Sequence, residues 1–404
     1  MNTRRRIAVL GAGIMGSSLA LLLARRGVSV TLFDAAPEPM SCASRWNEGK
    51  IHLGFLYNRD ASLKTARQIL HGGLSFKPVL EELIGTSIDA VSTSTDDIYL
   101  CHRQSVVRPD AMEAYFHQVA HLLHQHPDAG RYLVDVSSCR IGRLGAKELA
   151  AITDSPDIVA GFRVPERSVS TRWIADRLVD ALDSEAAIEQ CMDTRITGVS
   201  PVAAGAVDGS WQVESAQARF GPYDYVINAL WEGRLAIDLK VGVESPELWS
   251  NRYRVSLFIR TAEPVDIPSF IIATGPFGDI KNYNRRDFYL CWYPSGLRVE
   301  SAELTPPEPP LLDPAGQSAI GDAILRHLEN LIPAVASVRE RSESMALRGG
   351  WVYASGQGQL SDPDATLHRR SDFGVFRRGH YISVDTGKYS TAPAMALDIV
   401  DSLT

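Results

Sequence analysis

The chain has 404 residues, 45% of them hydrophobic and 22% charged, with a net charge of -7. That length predicts two or three domains, or two interleaved ones, and the balance is that of a soluble globular protein with ample core. The acidic excess is spread without long blocks of either sign, which excludes a nucleic-acid surface but leaves room for an anionic substrate held by a few local arginines.

Arg4-Arg5-Arg6 and the apolar run IAVLGAGIMGSSLALLLA share the layout of a signal peptide. The run carries spaced glycines, however, and ends in Arg25-Arg26-Gly27 rather than a small-residue cleavage site. It therefore reads as folded chain: a buried strand at Ile7–Leu10, a helix at Ile14–Arg26 and a second strand at Val28–Phe33, closed by Asp34. Residues 60 to 84 read as helical. A strand is predicted around Ile88–Cys101, and Pro109-Asp110 opens a helix to about His126. A short helix at Ile174–Leu182 precedes alternating strands between about 189 and 228. Val255–Arg260, Phe270–Ile272 and Phe288–Tyr293 read as an antiparallel sheet. Thr305-Pro-Pro-Glu-Pro-Pro310 reads as an extended surface connection. The chain closes with a strand at Tyr381–Asp385, a turn and a helix from about Ala392 to Leu403. This order predicts an α/β fold: a Rossmann-like domain from the discontinuous segments 1–60, 160–237 and 340–404, and an antiparallel-sheet substrate domain from 61–159 and 238–339. No other apolar run reaches the roughly 20 residues of a membrane span. The five cysteines are odd in number and never in a CxxC pair, which argues against a disulfide framework or zinc site and for a reducing, cytoplasmic setting.

Gly11-Ala-Gly13-Ile14-Met15-Gly16 sits between the first strand and helix, the context that a dinucleotide motif requires. Its glycines permit a sharp turn, close approach to a pyrophosphate and helix–strand packing, while the helix start favours the negative phosphates. Asp34, about 20 residues on, is placed to accept from ribose hydroxyls. The segment SRWNEGKIHLGFLY at Ser44–Tyr57 fits neither strand nor helix periodicity. Its Ser44, Arg45 and Asn47 suit a phosphate and the polar edge of a ring, and Gly49 and Gly54 permit close backbone approach. The far end adds Arg348-Gly349-Gly350 and Thr386-Gly387-Lys388-Tyr389-Ser390-Thr391. Three separated segments around one ligand favour a long cofactor with a redox-active ring over NAD.

In GAGIMGSSLALLLARRGVSVTLFD, ASRWNEGKIHLG, YDYVINALWEG and TGKYSTAPA the chain resembles the D-amino-acid-oxidase-like FAD-dependent oxidoreductases. These include glycine and sarcosine oxidases, 2-hydroxyglutarate dehydrogenases and, more distantly, glycerol-3-phosphate dehydrogenases. The resemblance implies FAD, with the first segment holding the ADP half and Ser44 and Arg45 along the pyrophosphate. It implies that Asn47, Gly49, Lys50, Ile51 and His52 run beside the isoalloxazine. By the same resemblance the backbone near Ile196 meets adenine, Ala229 and Gly349 border the cofactor, and Gly387 to Thr391 cover the pyrimidine edge. Asn228-Ala-Leu-Trp231 departs from the usual Ala-Gly ending, which leaves open how the chain passes the cofactor there. KIHLGF is nearer to the alcohol-oxidising members than to the amine oxidases.

The implied chemistry removes hydride from a carbon bearing an amine or hydroxyl in a small, anionic substrate, with oxygen or an electron carrier as acceptor. The leading reading is amino acid or amine oxidase-like. A 2-hydroxy acid or polyol dehydrogenase is the alternative, and a non-catalytic flavin-binding protein a third. His52 is the candidate base for a hydroxyl proton, or else a hydrogen-bonding support. Arg252, Arg254, Arg285 and Arg348 are candidates to clamp a carboxylate, for which a planar guanidinium is suited. Strand alternation puts Arg252 and Arg254 on one face and Tyr253 on the other. His117, His121 and His124 share a helical face opposite an apolar one, so they read as solvated and no metal is expected. Cys42 reads as a packing thiol rather than a covalent flavin link.

Overall fold

Arg6–Leu10 and Ser29–Phe33 are five-residue strands with almost wholly buried side chains, the pattern of parallel strands covered on both faces. The computed structural model describes residues 4–202 and 209–404. In it these strands lie inside a six-stranded sheet. The strand order is Gly374–Arg378, Tyr381–Asp385, Tyr225–Asn228, Arg6–Leu10, Ser29–Phe33 and Ile188–Cys191. All neighbours run parallel except the edge pair at Gly374–Asp385. The last parallel strand is thus seated beside Tyr225–Asn228 from the middle of the chain, which in turn pairs with Arg6–Leu10 from its start.

On one face the helix Ile14–Arg25 is buried from Ile14 to Ala24, because the terminal helix Ala392–Leu403 and the helix Lys64–Ile84 pack around it. Gly72 and Gly73 let the Lys64–Ile84 helix come close to the segments around His52 and Thr391. A Cβ on Gly73 would stand 2.1 Å from the His52 carbonyl oxygen, and one on Gly72 2.7 Å from Thr391 Cα. On the other face the antiparallel strands Ile196–Pro201, Trp211–Ser215 and Arg219–Tyr223 close over Ala8, Leu10 and Phe33.

A nine-stranded mixed sheet forms the second half. Its spine is Trp249–Thr261, paired antiparallel along its length with Ser342–Ser355 and also with Asp287–Trp292 and Leu297–Ser301. Gly278–Asn282, Phe270–Ala273, Asp97–His102, Ile158–Val164 and Gly142–Arg143 continue it. The helix Pro314–Leu331 covers its back through Ile324, Leu325 and Leu328 against Leu257, Ile259 and Leu290. Its front faces the six-stranded sheet.

Several predicted elements shift, among them the helix expected at Ile174–Leu182, which spans Thr171–Asp183. The strand expected from Ile88 begins only at Asp97, because Asp89–Val91 makes a helical turn. The strand expected to end at Tyr293 stops at Trp292, because Pro294 lacks the N–H a ladder needs and Tyr293–Gly296 turns helically. Val255–Arg260 lengthens to Trp249–Thr261, its arginines having masked the alternation. Part of the strand run predicted between 189 and 228, at 203–208, lies outside the described residues. His117, His121 and His124 are exposed opposite a buried Met112–Phe116–Val119–Leu123 face. No helix among the described residues is long and apolar enough to cross a membrane.

Candidate active site

The two sheets enclose a cavity of about 1290 Å³ that runs from the glycine loop to the face of the nine-stranded sheet. Its nucleotide end is built from backbone. Gly11 takes φ +95, and a Cβ there would lie 2.6 Å from the Ala229 carbonyl oxygen; a Cβ on Gly16 would lie 1.7 Å from the Gly11 oxygen. The loop is therefore packed to the limit that glycine allows. The Ile14 N–H at the helix start donates to Ser44 Oγ at 2.9 Å. Asp34 is oriented by two backbone donors, Ala12 N–H at 2.6 Å and Ala36 N–H at 2.8 Å.

The chain passes this loop through Asn228-Ala-Leu-Trp231 by an unusual route. Trp231 adopts φ +55, where a glycine would be unstrained, and its indole donates to the Trp351 carbonyl at 2.9 Å. The ring is thereby drawn toward Tyr353. Asn228 is fixed beneath it by bonds to the Arg234 carbonyl, Asp238 and Tyr381, in a buried network where Arg234 also pairs with Asp238 at 2.8 Å and Asp385 at 3.5 Å.

Midway along the cavity, the segment Lys50–Gly54 is pinned by buried charges. Lys50 Nζ reaches Asp97 at 3.0 Å, Glu166 at 3.1 Å and the Tyr99 hydroxyl at 2.9 Å. Glu166 also accepts from the Leu53 and Gly54 N–H groups, and Lys281 completes the set at 2.8 Å from Asp97. His52 is 2% exposed and its Nδ1 has no partner. Burial first, and then the charges of Lys388, Lys50 and Lys281, hold its imidazole well below the ordinary value, so it is neutral. Lys388 lies 5.2 Å from the centre of the Tyr57 ring, and burial together with Arg370 pulls its ammonium down to about 7.

At the sheet end, Arg254 Nη2 reaches the Tyr289 hydroxyl at 3.4 Å and Cys291 Sγ at 3.3 Å, its plane lies over Tyr293 at 5.1 Å, and its Nε is unpartnered. Burial opposes its charge, but Cys291, Tyr289 and Glu48 around it hold it cationic. Arg252, two residues earlier, donates to the Tyr293 hydroxyl at 3.2 Å and Ser250 Oγ at 2.9 Å. Tyr253 instead packs edge-on to Trp351, although it too borders the cavity, where the ladder with Leu297–Ser301 shifts register. Glu48 and Asp279 face the same space. Burial and then Glu48 push Asp279 up to about 6, while Arg254 and Lys388 outweigh burial to hold Glu48 low.

Of the residues singled out in the sequence, Gly11, Gly13, Ile14, Met15, Asp34, Ser44, Asn47, Lys50 and His52 border the cavity. So do Ile196, Ala229, Arg254, Arg348, Gly349, Gly387, Lys388 and Tyr389. Gly16, Gly49, Ile51, Ser390 and Thr391 stand behind it as packing. Arg45 turns away to Asp176 at 2.7 Å, and Arg285 is a surface residue 3.7 Å from Asp266. Arg348 borders the cavity but stacks on Trp46 at 5.5 Å and donates to the Leu347 carbonyl. Cys42 is exposed toward the cavity rather than packed. Asp279 and Arg370 lie in no stretch singled out in the sequence, and Glu48 and Glu232 lie inside singled-out stretches without a signal of their own.

The cavity exceeds the roughly 300–1,000 Å³ of an ordinary small-ligand pocket. A glycine cradle at one end and partnerless His52 Nδ1, Tyr57 hydroxyl, Arg254 Nε and Tyr389 hydroxyl farther along fit a dinucleotide with a substrate beside it. Fold and cavity thus define a dinucleotide-dependent oxidoreductase. The chain belongs to the FAD dependent oxidoreductase family, whose model matches residues 6–369; it is an enzyme and its cofactor is FAD. Glycine oxidase from Geobacillus kaustophilus shares its fold at a TM-score of 0.68 and 13% identity, over 98% of this chain and 95% of that one. Iminodiacetate oxidase from Chelativorans sp. BNC1 does so at 0.67 and 15%, over 98% and 95%. L-alpha-glycerophosphate oxidase from Mycoplasma pneumoniae, with FAD bound, follows at 0.63 and 13%, over 99% and 94%. Among curated proteins, kynurenine 3-monooxygenase from Salinispora tropica is 47% identical over 55 residues, only 13% of this chain and 12% of that protein.

Proposed function

We propose that the enzyme oxidises a small substrate carrying a carboxylate and, on the adjoining carbon, an amine: an amino-acid or amine oxidase-like reaction. The observation that supports this reading is Arg254, a half-buried cation facing the cavity with an unpartnered Nε and no acidic side chain within 4.0 Å among the described residues. A substrate carboxylate would satisfy it, and the Tyr289 and Tyr293 hydroxyls beside Arg254 and Arg252 offer further donors. When bound, FAD supplies the two-electron acceptor for the substrate hydride. The chain's own part is to hold the C–H bond in place and manage the proton.

His52 decides between amine and alcohol. An amine that binds unprotonated needs no base, whereas an alcohol must lose its hydroxyl proton. A buried imidazole held neutral by surrounding cations is free to accept that proton but holds it weakly. This favours the amine, and the placement of His52 in the cavity keeps the 2-hydroxy acid reading as the second. Oxygen or an electron carrier would take the electrons onward, and the five free cysteines suit a reducing, cytoplasmic setting.

The test is anaerobic flavin bleaching with paired substrates, each amino acid against the 2-hydroxy acid of the same side chain. Faster bleaching by the amino acids supports the proposal. Bleaching by the hydroxy acids alone overturns it.

A further inference from the structure

Glu232 stands at the glycine-loop end of the cavity and has no part in the chemistry proposed above. The left-handed turn at Trp231 carries the indole off to Trp351, and the next side chain borders the space beside Asp34. Glu232 is half-buried, and apart from its own backbone N–H its carboxyl makes no hydrogen bond to another residue and no ion pair within 4.0 Å among the described residues. The charged and titratable groups around it come from four elements. Asp34 closes the second strand and Cys42 lies on the following segment. Arg195 precedes the strand Ile196–Pro201, and Lys240 is on the helix Arg234–Val241. Neither cation neutralises it. Lys240 is spent on the Thr197 carbonyl at 2.6 Å, and Arg195 is largely exposed and leans toward Glu308 at 4.0 Å. Burial, with Asp34 adding to it, raises the Glu232 carboxyl to about 7.

FAD brings a diphosphate, two further negative charges, to this end. A second ionised carboxylate beside Asp34 would oppose it, whereas a protonated carboxyl is a hydrogen-bond donor to a phosphate or ribose oxygen. We propose that Glu232 is a cofactor contact that engages the ribose–diphosphate stretch of FAD as a neutral carboxylic acid, so that cofactor binding takes up a proton at this residue. The inference rests on FAD being the cofactor and is independent of the substrate. The sign follows directly. The bound diphosphate lifts the Glu232 carboxyl further, so above about pH 7 the free protein has lost a proton that the complex retains, and affinity falls as pH rises.

The experiment is calorimetric titration of FAD-stripped protein with ADP-ribose at constant ionic strength from about pH 6 to about pH 8.5. ADP-ribose lacks the ring, so Lys388 at the other end is not engaged, and its diphosphate does not titrate in this range. Wild type is expected to weaken above about pH 7 with a slope approaching tenfold per pH unit, and to show proton uptake when the titration is repeated in buffers of different ionisation enthalpy. Glu232→Gln keeps the donor, so it is expected to match wild type at the acid end and to lose the slope and the uptake. Glu232→Ala is expected to bind more weakly at the acid end, also without slope. A flat wild-type profile without proton uptake would overturn the proposal whatever the variants do. So would a Gln variant that keeps the slope, which would assign the proton to a group other than Glu232.

Discussion

The two ends of the cavity recognise charge by opposite means. At the glycine loop the donors are backbone N–H groups at a helix start, and close packing is enforced by the absence of side chains: a Cβ on Gly16 would overlap the Gly11 carbonyl. At the sheet end the recognition is all side chain: Arg252, Arg254 and Tyr289 project from two antiparallel strands and Tyr293 from the helical turn that follows the second, so their mutual distances follow largely from strand register. The first end tolerates almost no change in backbone, because its shape is set by a few tightly packed glycines. The second keeps its backbone under substitution but depends on several residues far apart in sequence.

The largest expected effect breaks the backbone end. Gly16→Ala forces a methyl group into 1.7 Å of a carbonyl, an overpacking cost of about 3 kcal/mol. The purified variant should lack flavin absorbance and melt well below wild type. Retained, tightly bound FAD would mean that the loop relaxes more easily than its packing implies.

At the sheet end the comparison is between two arginines. Arg254→Met should lower kcat/KM by about 100-fold or more, as expected when a partly buried charge pairing with substrate is removed, with FAD content unchanged. Arg285→Met, at the surface beside Asp266, should stay within about twofold. Equal effects would deny Arg254 its role.

His52→Gln sharpens the picture between the ends. With an amino acid substrate, flavin reduction should change by less than about threefold. With a 2-hydroxy acid it should fall by about a hundredfold, the usual contribution of a positioned base. The smallest effect concerns Lys388. Because its ammonium loses its proton near 7, sulfite addition to the flavin should weaken as pH rises through that value. Lys388→Met should show the weak limit, about tenfold poorer or 1.4 kcal/mol, at every pH.

These contrasts also explain what could be read from the sequence. Gly11, Gly13, Gly16 and Asp34 lie within one βαβ unit, where local spacing fixes three-dimensional proximity, so both the fold and the nucleotide end were legible. Glu48 and Asp279 face each other only because Gly278–Asn282 pairs with Asp287–Trp292 and a remote loop closes on it, and Arg370 reaches the cavity from a third segment beside Tyr57 and Arg252. No periodicity encodes that. Arg45 and Arg285 look alike to Arg254 in one dimension, and the difference lies in Asp176 and Asp266, acids 131 and 19 residues away that draw them off. The Trp231 turn was announced only as a departure, since a left-handed tryptophan is not something residue type suggests.

The seating of Tyr381–Asp385 beside Tyr225–Asn228, with the terminal helix packed on the first, bears on synthesis. When the glycine loop leaves the ribosome, the strand that completes its sheet and the helix that covers Leu19–Leu23 are more than three hundred residues from being made. Asp385, the carboxylate that joins the Arg234 network, arrives last of all. The almost wholly buried helix Ile14–Arg25 must therefore be sheltered until residues 381–403 have been made, and FAD can be captured for good only once they are in place.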